Sequence, residues 1–268
     1  MCDSIAANLI NRIQHNDKEN SHAAIEVFAS DDTIIFGGEA KTTLKLNKKF
    51  LRKVLEDSFH TCGYTDDKRK SFTKEQVYLA KDTKIINKIH SQSPDIARAT
   101  TDKKGESGWN DQGLFFSGYD SMTPTGQGAA KFLAQSFGDF LFKKAKQTTY
   151  LGSDIKVVFT LEVKNDGYTP ISVEHVTVAI PCAETKCGDI HNIVKDFYKE
   201  WVKLIANTYG EHAYTTIKKT VAAKDPVITV NGTGRYVNHG FHSDASMTGR
   251  KLAVNNMSAG PIYSQCQC

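Results

Sequence analysis

Residues Ile155–Ile180 read IKVVFTLEVKNDGYTPISVEHVTVAI. Two apolar, β-rich runs, Ile155–Val163 and Ile171–Ile180, flank Asn165-Asp166-Gly167. An Asp-Gly pair between such runs is a strong hairpin signal, because glycine accepts positive φ at no steric cost. The apolar period then changes. Ile193, Val194, Phe197, Trp201, Val202 and Ile205 recur three and four apart, which predicts a helix over Ile190–Ala206 with that stripe inward.

The same order of elements occurs upstream. Ala23–Ala29 and Thr33–Gly37 are β-rich runs around Asp31-Asp32. The helical stripe Phe50, Leu51, Val54, Leu55 and Phe59 follows within Asn47–His60. Ile5, Ala6, Leu9, Ile10 and Ile13 predict a helix over 3–15. Ala130, Leu133, Ala134, Phe137, Phe140 and Leu141 predict another over Gln127–Lys144. Val77–Ala80 and Lys84–Ile89 read as short strands, and Pro226–Val230 as a strand that starts something new. The expected fold class is α+β, with two pseudo-symmetric units, each a sheet covered by helices on one face. The expected organisation is an N-terminal unit over 1–96, a central unit over 97–224, and an incomplete third unit over 225–268.

Composition fits this reading. Of 268 residues, 40% are hydrophobic and 24% charged, which excludes a disordered chain, a collagen-like rod and a coiled coil. No apolar run approaches the ~18–20 residues of a membrane span. Met1–Gln14 is amphipathic, so no signal peptide is expected and a cytoplasmic location is. The net charge of +4 is too weak to imply a nucleic-acid or membrane partner. The six cysteines are scattered and read as reduced thiols. Cys182/Cys187 with Cys266/Cys268 do not have the spacing of a four-sulfur zinc site.

Three segments are unusual for purely structural sequence. Gly37-Gly38-Glu39 follows an apolar strand, and reads either as a plain turn or as a carboxylate that meets a ligand closely. Gln92-Ser-Pro-Asp-Ile96 and Asn110-Asp111-Gln-Gly-Leu114 flank a polar stretch over 97–112, which reads as a ligand gate or as a solvated loop. Gly232-Thr-Gly234-Arg235-Tyr236, Asp244 and Thr248-Gly249-Arg250-Lys251 combine glycines with three cations and one acid, a composition suited to a polyphosphate. The last segment is neither a Walker loop nor a dinucleotide fingerprint.

Taken in order, these segments resemble the methionine adenosyltransferase (S-adenosylmethionine synthetase) family. Glu26 and Glu39 resemble its acid-bearing strand and the G-G-E that follows. Gln92–Ile96 matches Q-S-P-D-I. Asn110–Tyr119 resembles G-D-Q-G-L-M-F-G-Y, with Asn110 for glycine and Ser117 inserted. Ser153-Asp154-Ile155-Lys156 resembles P-D-[AS]-K, and Gly232–Lys251 resembles the family's long G-R-F…G-D…T-G-R-K segment. Pro181-Cys182 replaces the family's Q-H pair. Met1-Cys2-Asp3-Ser4-Ile5-Ala6 resembles the segment just after G-H-P-D-K. On this reading the chain is truncated at both ends, and two magnesium-binding aspartates, a histidine and a lysine of the family are not in it.

The resemblance implies an enzyme that joins ATP and L-methionine into S-adenosylmethionine, with release of phosphate and diphosphate. It implies Mg²⁺ and K⁺ as cofactors and a homodimer or higher oligomer with the site between subunits. Lys156, Arg250 and Lys251 would act on the triphosphate. Asp154, Arg235, Tyr236 and Asp244 would bind ATP, and Glu39, Gln92, Asp111 and Asp244 methionine. Glu26 would hold potassium, and residues 93–110 would form the gate. The alternative is a catalytically impaired homologue or fragment that binds nucleotide, methionine or a full-length subunit. With the two metal-binding motifs missing, little turnover is expected of the 268-residue chain alone.

Overall fold

Hydrophobic residues at every second position of Ile25, Val27 and Ala29, and of Ile34 and Phe36, are buried, while their neighbours are not. That is the signature of a strand pair with one face on a core. The computed structural model describes residues 1–17, 21–92, 119–209 and 214–249. They fall into two compact units, one from 1–66, 73–92 and 240–249, the other from 67–72 and 119–239.

In the first unit, α1 (Cys2–Asp17) buries Ile5, Ala6, Leu9 and Ile13 of the predicted stripe and also Cys2, while Ile10 is only half-buried. Strands β1 (His22–Ser30) and β2 (Thr33–Lys41) form an antiparallel hairpin. Asp31 takes φ 52° at the turn, which aspartate tolerates better than most residues. Helix α2 (Lys48–Thr61) starts on Asn47, whose Oδ1 accepts the Phe50 N–H at 2.9 Å. It leads to β3 (Lys84–Ser91), which runs parallel to β2.

In the second unit, α3 (Ala129–Gln147) precedes the hairpin of β4 (Lys156–Val163) and β5 (Pro170–Ala179). Gly167 takes φ 71° in its turn, and Asp166 accepts the Tyr168 and Thr169 N–H groups. Helices α4 (Ile190–Thr208) and α5 (Thr215–Ala222) then lead to β6 (Val227–Val230), parallel to β5. The order helix–strand–strand–helix–strand, with the same strand senses, therefore recurs, the second time with the extra helix α5 before the last strand. The fold is α+β with one sheet per unit.

Two short segments differ from expectation. Val77–Ala80 is not a strand. The Leu79 N–H donates to Asp82 Oδ2 at 2.8 Å and Thr83 Oγ1 to the Ala80 carbonyl at 2.8 Å, so local bonds close a turn before any ladder can form. Arg52 seals it by donating to the Ala80 and Thr83 carbonyls. The strand at Val227–Val230 starts no separate sheet but extends the second one beside β5. A two-residue strand, β7 (Ser246–Met247), pairs with β1 in the first unit.

The second core is aromatic. Phe137, Phe159, Tyr198 and Trp201 contact one another, and the Trp201 indole donates to Ser136 Oγ at 3.1 Å. The Tyr198 hydroxyl, 4% exposed as a residue, has no hydrogen-bond partner among the described residues. Lys68, 3% exposed, donates to the Ala145, Thr148 and Leu151 carbonyls at 2.6, 2.8 and 2.7 Å. Ala145 lies in the last turn of α3 and Thr148 caps it, so the ammonium also meets the negative end of the helix dipole. Burial pushes the Lys68 pKa down to about 8, and the group is still mostly charged at neutral pH.

Two stability tests follow from these groups. Lys68→Met removes three hydrogen bonds in a buried setting and should cost about 3 kcal/mol in urea unfolding. The wild-type advantage over this variant should grow between pH 8 and 10.5, because there the unfolded chain holds the Lys68 proton more tightly than the folded one. Tyr198→Phe removes an orphaned hydroxyl and should raise the unfolding free energy by about 1 kcal/mol in the same assay.

Candidate functional site

In β1 and β2 the residues that alternate with the core positions point to the open face of the sheet. Glu26 pairs with Gly37, and Glu39 with Ala24, so the two residues are diagonal neighbours on that face, about 7–8 Å apart at the backbone. Across β2, Glu39 pairs with His90 of β3. Gln92 follows β3 directly, and its Oε1 is buried without a partner among the described residues. The structure thus brings Glu26, Glu39 and Gln92 to one region of the first sheet. Glu39 lies within β2, not in a turn after it, because the hairpin ladder continues to Lys41.

Asp244 is elsewhere. It precedes β7, whose Ser246 pairs with Ala29, so it lies near the Asp31-Asp32 turn. The level of Glu39 is roughly 20 Å away along β1 at ~3.3 Å per residue. The chain then continues along β1. Thr248 Oγ1 and N–H both donate to the Val27 carbonyl, and the Gly249 N–H donates to Asp3 Oδ1 at 2.7 Å. Asp111, Arg250, Lys251 and residues 93–110 lie outside the described residues.

Gly37 and Gly38 have different reasons to be glycine. Gly38 has φ 119°, and a Cβ there would strike the Ala24 carbonyl. At Gly37 a Cβ would meet nothing within 4 Å. The free space opposite Glu26 is therefore not required by the chain's own packing.

In the second unit the start of β4 and the ends of β5 and β6 lie together, since β4 is antiparallel and β6 parallel to β5. Lys156 opens β4, and Asp154 lies two residues before it. Arg235 and Tyr236 follow β6 by a loop that Asn231 anchors. Asn231, 6% exposed with φ 47°, accepts the Ile180 N–H at 2.9 Å and donates to the Ile180 carbonyl at 3.0 Å. The Tyr236 hydroxyl donates to Asp154 Oδ2 at 2.7 Å, and the Cys182 N–H donates to the Tyr236 carbonyl at 2.9 Å. Arg235 is ion-paired to Glu184. Asp154, Lys156, Arg235 and Tyr236 thus meet at one end of the second sheet.

Sequence reading overlooked Glu184 and His239, and saw in Asn231 no role in the loop. His239 is buried, with Nδ1 2.8 Å from the Val237 carbonyl, and burial lowers its pKa to about 4, so it is neutral at pH 7. Among the described residues no group of three or more His, Cys, Asp or Glu is arranged to hold a metal ion, and no helix is long and apolar enough to cross a membrane.

The glycine pair provides a test. Gly38→Ala should lower stability by about 2 kcal/mol or more, from positive φ and backbone contact together. Gly37→Ala should fold like the wild type. A thermal-melt comparison of the two separates backbone necessity from free space kept open.

Relatives of known structure and name can be set beside this geometry. The chain is 28% identical over 269 residues to the S-adenosylmethionine synthase of Treponema denticola, a match that covers 95% of this chain and 61% of that protein. A solved structure titled as an unusual S-adenosylmethionine synthetase from Campylobacter jejuni superposes with a TM-score of 0.74 at 28% identity, covering 98% of this chain and 62% of the other. The chain spans about three fifths of the length of these relatives. No family model matches it.

Proposed function

Because the chain is a relative of the S-adenosylmethionine synthetases along nearly its whole length, we propose that it serves S-adenosylmethionine formation from ATP and L-methionine, with release of phosphate and diphosphate. The observation that carries the reading is the convergence of Asp154, Lys156, Arg235 and Tyr236, separate in sequence, at one end of the second sheet. These are the positions that the resemblance assigns to the nucleotide.

In this reading the thioether sulfur of methionine attacks C5′ of ATP and the triphosphate leaves. A thioether is a neutral, weak nucleophile, so the leaving group's charge must be met by fixed cations. Lys156, exposed at the start of β4, supplies one. Arg250 and Lys251 supply two more. Arg235 and Tyr236 hold the nucleotide, and Asp244, far along β1 from Glu39, would hold the ribose and methionine as a residue supplied by the second copy. Glu39 and Asp111 suit the methionine ammonium, and the Gln92 amide, with its unpaired Oε1, orients it. Residues 93–110 would serve as the gate that the resemblance implies.

The half-buried Glu26 carboxylate, with the free space at Gly37 opposite, fits a monovalent cation, and Glu26 would hold K⁺ there. Mg²⁺ would neutralise the polyphosphate. The partner is a second copy of the chain. Phe28, Ile86 and Met247 in the first sheet and Val158 and Val227 in the second are exposed apolar side chains that such an assembly would cover. The free thiols of Cys2, Cys62, Cys182 and Cys187 accord with a cytoplasmic protein.

A second reading, a homologue that binds nucleotide without turnover, is favoured by one feature. Arg235 and Tyr236 are already engaged by Glu184 and Asp154. Calorimetry with ATP and a chromatographic assay with ATP, methionine, Mg²⁺ and K⁺ separate the two. Turnover supports the first reading, and ATP binding without product the second. Lys156→Met should weaken ATP binding about 10- to 150-fold, as expected for a lost charge-assisted phosphate contact. Unchanged affinity would place the phosphates elsewhere.

A further inference from the structure

Cys182 and Cys187 stand on either side of a tight turn that no proposed chemical role uses. The Lys186 and Cys187 N–H groups both donate to the Ala183 carbonyl, at 2.8 and 3.1 Å. The two thiols converge on that same oxygen, Cys182 Sγ at 3.6 Å and Cys187 Sγ at 3.4 Å, and Cys187 Sγ also donates to the Cys182 carbonyl at 2.9 Å. Cys182 is fully buried in the core of the second unit, whereas Cys187 is partly open to solvent.

The turn is joined to the nucleotide-side cluster at two points. The Cys182 N–H holds the Tyr236 carbonyl, and Glu184 holds Arg235. From this geometry we infer that Cys182 and Cys187 are a reversible dithiol–disulfide pair that sets the position of Arg235 and Tyr236. The link to function rests on the nucleotide reading given above.

The chemistry is thiol–disulfide exchange with a small-molecule disulfide of the glutathione type. The Cys187 thiolate attacks one sulfur of that disulfide and expels the first thiolate, leaving a mixed disulfide. Cys182 sulfur then attacks Cys187 sulfur and expels the second. The protein loses two electrons and two protons, and the small disulfide becomes two thiols. A disulfide needs its Cβ atoms about 3.8 Å apart and a dihedral near 90°. To reach this, Cys187 must give up its bonds to the Cys182 and Ala183 carbonyls. Cys182 is fixed by the core, so the turn carrying Glu184 takes up the movement.

The test equilibrates the full chain in glutathione buffers from reducing to oxidising, then maps unreduced digests by mass spectrometry. Amide exchange is followed at Gly232–Tyr236 in parallel. The expected result is a peptide joining Cys182 to Cys187, two hydrogens lighter, with faster exchange at Gly232–Tyr236 than in the reduced protein. Cys187→Ser should show neither change, and should match the reduced wild type in exchange. ATP affinity should fall about 2- to 13-fold on oxidation, the size of one lost hydrogen bond. Separate glutathione adducts on the two cysteines, or no crosslink at any ratio, would overturn the pair. A crosslink that leaves exchange at Gly232–Tyr236 unchanged would overturn its hold on Arg235 and Tyr236. Reduced protein that binds no ATP would count against the nucleotide reading alone, because crosslink and exchange report on the pair without ligand.

Discussion

Glu26 faces Gly37 and Val27 faces Phe36, and the rest of the first unit depends on that register. Side chains alternate along a strand, so a slip of one residue would turn Val27 outward and Glu26 into the core. A buried, unpaired carboxylate is far more costly than an exposed valine, which makes the register steeply determined. It places Ile25, Val27, Ala29, Ile34 and Phe36 in the core, and Glu26 and Glu39 on the open face. The second hairpin obeys the same constraint through Phe159, Val173, Val176 and Val178, with register irregularities near Thr160 and Glu162. The repeated order of elements is thus also a repeated division of each sheet into a packed face and a face free for chemistry or assembly.

Where backbone leaves the ladders, buried polar side chains take over. Lys68 and Asn231 each satisfy several main-chain groups far away in sequence. A buried ammonium is tolerable only with such a set of acceptors, and three carbonyls at a helix end provide it. Asn231 does the equivalent work with a neutral amide, offering one acceptor and one donor to the two main-chain groups of Ile180. Its positive φ turns the chain out of β6, which is why the loop carrying Arg235 and Tyr236 returns to the start of β4.

These two residues also mark how far the sequence could be read. Helices and hairpins were legible because their apolar periods of 3.6 and 2 are long and regular. Both parallel strands were visible as strands, but not their partners, since pairing across a helix leaves no local trace. Lys68 sits in Asp66-Asp-Lys-Arg-Lys70, a run whose composition reads as solvated surface, and nothing local distinguishes the one buried lysine. Val77–Ala80 carries strand-like residues, yet Asp82, Thr83 and a distant Arg52 decide its conformation. Of the site, the ordered motifs marked Glu26, Glu39, Asp154, Lys156, Arg235 and Tyr236. They could not reveal that Glu184 pairs with Arg235, because Glu184 belongs to no motif.

That last pair bears on how the second sheet's end could accept a polyphosphate. Arg235 and Glu184 retain 61% and 57% of their side-chain exposure. An ion pair so open to water is typically worth at most about 1 kcal/mol. A phosphate that makes a charge-assisted, bidentate contact with the same guanidinium gains about 1.5–3 kcal/mol. Exchanging the glutamate for the ligand is therefore downhill. Tyr236 differs, for its hydroxyl is tied to Asp154 in a partly buried setting, and its ring can offer a face without that bond being broken. In the nucleotide reading, Glu184 would stand in for the anion that displaces it, and Asp154 would support the ring.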